Sequence, residues 1–182
     1  MEYQTPGVYV EEVSTGAKPI EGVSTTTAAF VGVAPREDSY VDEPRACNSW
    51  TEFVRDYVNP DSKGTHLARG VYGFFMNGGR RCYVLNVGAQ GSVGGDARKG
   101  TGVNAVEAFD EPSMILAPGC TGTADVRALI DHAEKMRDRV AIVDVVERVQ
   151  EVKELTEIGT VDPEPAAGDA AAPAGGGKGK AK

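Results

Sequence analysis

Few residues in this chain have the type and spacing to do chemistry. The first candidate is the stretch Gly88 to Gly102, GAQGSVGGDARKGTG, which holds six glycines. It follows a predicted strand, so its backbone N–H groups could approach an anion as phosphate-binding loops do at a helix N-terminus. It has neither a GK[ST] ending nor a G-x-G-x-x-G leading straight into a helix, and the expected reading is a flexible surface connection. Asp144 falls near the carboxyl end of a predicted strand, where open α/β enzymes place catalytic groups. Glu147 follows three residues later, a spacing that favours Asp144 as the cap of a helix over residues 148–155. His132, two residues before Glu134, is expected on the solvated face of its helix. Trp50 and Phe53 could stack on a flat ligand, but i, i+3 spacing on an apolar helical face points to core. Cys47, Cys82 and Cys120 are an odd set with no C-x-x-C pair, and only His66 and His132 could join them. That pattern predicts reduced thiols, no metal site and no cofactor. With no Ser-His-Asp, paired-carboxylate or Cys-His arrangement, no enzyme is expected. A small nucleotide- or anion-binding α/β enzyme, built on the 88–102 loop and Asp144, is the alternative.

The elements that must position these residues alternate. Leu67, Val71, Phe74 and Phe75 fall at i, i+4, i+7 and i+8 and predict a helix with all four side chains buried. Asn77, Gly78 and Gly79 supply the stop, and Cys82, Tyr83, Val84, Leu85 and Val87 form a near-continuous apolar run, the mark of a strand inside a sheet. Upstream, Thr25 to Ala34 reads as the first core strand, ending at Pro35. Ser49 and Glu52 form a capping box for the helix carrying Trp50, Phe53, Val54, Tyr57 and Val58. Downstream, Val103 to Phe109 can make two helical turns and Met114 to Ala117 a short buried strand. Thr123 is placed to cap a helix whose buried face runs through Val126, Leu129, Ile130, Ala133, Met136 and Val140, followed by a near-continuous apolar strand from Val140 to Val146. The expected fold is an α/β three-layer domain with a mainly parallel central sheet, an extended N-terminal arm and a disordered C-terminal tail.

The chain has 182 residues, of which 41% are hydrophobic and 25% charged, within the range of a globular domain. Its net charge of -8 argues against a nucleic-acid partner, because phosphate contacts need clustered Lys and Arg. No apolar stretch approaches the ~20 residues that span a bilayer, and the N-terminus lacks a signal-peptide pattern. The expectation is a cytoplasmic protein without membrane insertion. Three segments follow: an arm over residues 1–24, an α/β domain over 25–158 and a low-complexity tail over 159–182. In the arm, Pro6 and Gly7 open an alternating run from Val8 to Val13 that reads as one strand, able to pair at home or to add to a neighbour's sheet edge. The tail is dominated by Pro, Ala, Gly and Lys, with three acids balancing its three lysines, and cannot bury a core. Its GGGKGK has no strand before it and no room for a helix after it.

Five blocks, in order, carry a resemblance. They are TPGVYVEEVSTGAKPIEGVSTTTAAFVGVAPR, SWTEFVRDYV, GVYGFFMNGGRRCYVLNV, DEPSMILAPG and HAEKMRDRVAIVDV, which together extend over about residues 3–147. In these the chain resembles the sheath proteins of contractile phage tails and related contractile injection systems. The resemblance implies a structural subunit of a contractile sheath-like assembly, in which α/β domains stack as rings or a helical tube around an inner tube. It further implies that terminal extensions stitch subunits together by adding strands to each other's sheets, here through Val8, Tyr9, Val10 and Val13. The expected partners are further copies of this chain, with an inner tube protein or a full-length sheath protein, in a cytoplasmic assembly or a released injection particle. Sheath proteins continue well beyond the strand matching Val140 to Val146, and this chain carries the low-complexity tail there.

Overall fold

A computed structural model of the protein describes residues 26–146, 148 and 152–156. The expected arm over 1–24 and tail over 159–182 lie outside the described residues.

The fold is α/β, a mixed and mostly parallel sheet of five strands with helices packed on it. Its centre is β1, Ala28–Gly32, with all five residues buried. On one side β1 pairs in parallel with β3, Cys82–Asn86, and on the other with β4, Met114–Leu116. The order is completed by β2, Arg45–Cys47, antiparallel to β3, and β5, Val140–Ile142, parallel to β4. Side chains of β1 alternate between two cores, as the period of a strand requires. Ala28 and Phe30 pack with Phe53, Tyr57, Leu67 and Val71 of the first two helices, whereas Ala29 and Val31 pack with Val103, Val106 and Leu129. A strand apolar on both faces is the consequence of this double burial. The strands expected at 25–34, 82–87, 114–117 and 140–146 are present but shorter.

Helix α1, Trp50–Tyr57, begins as expected: Ser49 Oγ accepts from Glu52 N at 3.2 Å. The returning half of the box lands one residue early, with Glu52 Oε2 accepting from Asn48 N at 2.7 Å. Trp50 and Phe53 stack with ring centroids 5.1 Å apart and belong to the first core. Helix α2, His66–Met76, is capped by Thr65 and closed at Gly78, whose φ of 91° is one that a side chain would strain. There Gly78 N donates to Phe75 O and Gly79 N to Phe74 O, which satisfies the last carbonyls of the helix. A 3₁₀ helix, Gly102–Ala108, stands where two helical turns were expected. Helix α3 spans Thr123–Met136 and α4 spans Val152–Thr156, which overlaps the expected 148–155 but starts four residues later and ends one residue beyond it.

Four expectations are corrected. Phe74 and Phe75 are only half-buried, because the last turn of α2 packs on the margin of the first core, where Phe74 lines an open groove. Thr123 does not cap α3: Gly122 holds the cap position and no side chain bonds there. His132 is buried, since it lies one turn after Leu129 on the inward face of α3. Strand β5 is exposed, with Val140 at 65% and Ile142 at 47%, because it is the outermost strand. Strand β2, which the sequence did not announce, is three residues long and polar at its start.

Candidate assembly surface

The expected assembly residues Val8, Tyr9, Val10 and Val13 lie outside the described residues. Within them, the feature suited to association is β5. One edge of this strand pairs with β4, and the other has no partner strand among the described residues. Beside Val140 and Ile142, Val145 and Val146 are also exposed, so the sheet ends in a run of valine and isoleucine facing water. An apolar edge with open backbone groups is a template for another strand.

The edge is held firmly from both ends. Immediately before it, Arg139 has a side chain that is 0% exposed, with its guanidinium donating to the carbonyls of Val106 and Phe109 and pairing with Asp138. Immediately after it, Asp144 Oδ2 accepts from Gly119 N at 2.8 Å, tying β5 to the loop that follows β4. Asp144 Oδ1 accepts from Val145 N, and α4 starts eight residues later, so the aspartate is a loop clamp and not the cap expected of it. Sequence reasoning passed over Arg139; its signal was a cation directly adjoining an apolar run.

The residues considered for catalysis do not converge. In the 88–102 loop, amides that an anion would need are already engaged. Gly95 N donates to Ser92 Oγ, Asp96 N to Thr101 Oγ1, Thr101 N to Asp96 O, Gly102 N to Asp42 Oδ1 and Val103 N to Val93 O. Asn104 adds bonds to the carbonyls of Gly94 and Thr101, and Val93 is buried beneath. The loop is a surface connection fastened by its own hydrogen bonds and by Asp42. His132 Nε2 lies 3.5 Å from Arg139 Nη1, and burial first, then Arg139, holds the imidazole below its usual pKa. Cys47 and Cys82 face each other across the β2–β3 ladder, buried and free. Burial pushes the Cys47 thiol up to about 12, with Asp56 and Glu52 adding to it, and raises Cys82 as well. Thiols so raised are poor nucleophiles. Among the described residues no group of three His, Cys, Asp or Glu could hold a metal ion, and no helix is long and apolar enough to cross a membrane.

A second polar residue was missed. Asn86 closes the apolar run of β3 and is 0% exposed. Its Oδ1 accepts from Ala34 N and Gly88 N, each at 3.0 Å, while Nδ2 donates to the carbonyls of Glu37 and Ser39. One side chain thus substitutes for backbone pairing where the chain leaves β1 and β3.

No family model matches the chain. No curated protein matches it either. Among solved structures, the helical sheath of the anti-feeding prophage in its contracted state is similar over 83% of this chain and 42% of that one, with TM-score 0.56 and 18% identity. The baseplate of the same prophage in its contracted state aligns over 76% of this chain and 39% of that one, with TM-score 0.47 and 22% identity. The chain therefore spans less than half the length of the sheath chain it matches. What the sheath comparison shows is the fold: this α/β domain, from β1 to β5, is folded like part of a contractile injection system's sheath subunit.

Proposed function

We propose that the protein is a structural subunit, not an enzyme, of a contractile sheath-like assembly, and that it self-associates into rings or a helical tube. The observation that carries this reading is the fold shared with a helical sheath. In the proposed architecture the sheet is the middle of three layers, and the N-terminal arm extends from it to a neighbouring subunit. There the strand containing Val8, Tyr9, Val10 and Val13 adds to an open sheet edge, for which β5 has the exposure and the apolar character. Each added backbone hydrogen bond is worth only ~1 kcal/mol net, so the arm's side chains must also be buried for the joint to hold. Repetition around a ring multiplies such weak joints. A longer sheath protein or an inner tube protein completes the assembly, within the cytoplasm or in a released particle.

Electron microscopy and light scattering of the purified protein test this reading. The full chain is expected to form rings or filaments. Deletion of residues 1–15, or Val140→Lys with Ile142→Lys, is expected to leave folded monomers. A parent that stays monomeric at high concentration, or a deletion variant that still assembles, overturns the mechanism.

A further inference from the structure

We propose that residues 19–25 fold back over their own domain and fill an apolar groove between α2 and the sheet, with Val23 and Ile20 as the filling side chains. The groove has a volume of about 730 Å³. Its floor is Phe30, Met114 and Leu116, on the face of the sheet that α1 and α2 cover elsewhere. Met114, Leu116 and Phe74 are half-buried, so an apolar surface continuous with the core is left without a cover among the described residues. Gly73 leaves the wall low, since a Cβ added there would meet nothing within 4 Å, whereas Gly70, one turn earlier on α2, lets the helix pack closely on Phe30 and Pro118.

The occupant follows from where the described chain begins. Thr26, its first residue, lines this groove, so whatever precedes it starts there. Val23 stands three residues upstream and Ile20 six, with Gly22 between them to permit a bend. At about 3.3 Å per extended residue they reach roughly 10 and 20 Å from Thr26. Along the sheet, Met114 pairs with Ala28 and Leu116 with Phe30, so the first position lies nearer Met114 and the second nearer Leu116. Glu21 sits between the two apolar residues, and Arg80, on the groove's rim, has no ion-pair partner among the described residues. A segment docked in this way anchors the root of the arm on its own domain. The proposal stands apart from the assembly reading, since it concerns a monomer's own stability.

Two measurements test it in the full chain. Ile20→Ser with Val23→Ser is expected to lower Tm by on the order of 5–10 °C at concentrations too low for assembly, while Val8→Ser with Val10→Ser leaves Tm unchanged. In a Cys120→Ser background, Val23→Cys with Met114→Cys, and separately Ile20→Cys with Leu116→Cys, are expected to form an intramolecular disulfide on mild oxidation, in protein shown to be folded beforehand. Disulfide-linked dimers would assign the groove to a second copy and overturn the proposal. Absence of both the cross-link and the Tm shift would leave the groove to another partner, and overturns it equally.

Discussion

Arg139 Nη1 lies 3.5 Å from His132 Nε2, and both side chains are buried between α3 and the 3₁₀ helix. Burial first, and then the Arg139 guanidinium, penalises a charged imidazole, with Lys135 adding to the penalty and Glu107 and Asp138 opposing it. The folded-state pKa of His132 is therefore below its unfolded value of about 6.5. Protons bind more readily to the unfolded chain, so stability present above that value is lost as pH falls toward the folded pKa. Thermal melts at pH 7.5 and 5.5 should show a drop in Tm that His132→Gln reduces. Equal drops in parent and variant would remove His132 as the cause.

Asn86 is expected to be among the least replaceable residues of the domain. Asn86→Ala leaves Ala34 N, Gly88 N and the Ser39 carbonyl without their side-chain partner in a buried place. At roughly 1–3 kcal/mol per unsatisfied group, a loss of ~3 kcal/mol or more in denaturant unfolding is the expected outcome. A loss below about 1 kcal/mol would mean that water replaces the amide.

Phe53 and Phe75 should separate. Phe53 is 0% exposed and stacks on both Trp50 and Tyr57, so Phe53→Ala should cost about 3–5 kcal/mol. Phe75, half-buried at the end of α2, should cost roughly half of that. Urea unfolding of the two variants measures the difference. A Phe75→Ala loss equal to that of Phe53→Ala would show that something covers the end of α2.

Thiol titration reads the core directly. Of the three cysteines, Cys47 and Cys82 are buried with raised pKa values, whereas Cys120 is partly exposed, with its thiol raised by burial and then by Asp125 and Asp144. At pH 8 a disulfide reagent should modify one thiol slowly in the native protein and all three after denaturation. Rapid modification of two or three would mean that the β2 edge opens.

Periodicity in the sequence determined the local elements because it is itself a record of burial. The alternating core of β1, the run in β3, the Ser49 cap and the glycine stop of α2 are all written in residue type, and each is present. The resemblance of five ordered blocks likewise pointed to the fold that the sheath comparison shows. Where a strand stands in the sheet is not a local property. Val140–Ile142 reads as apolar as Cys82–Asn86, and only the order of strands makes one an exposed edge and the other a core strand. The same holds for His132, Arg139 and Asn86, polar residues that acquire their roles only when the chain has folded: Arg139 meets Val106, 33 positions away, and Asn86 meets Ala34, 52 positions away. Tertiary structure decided them because burying a polar group is tolerable only where distant backbone supplies its hydrogen bonds.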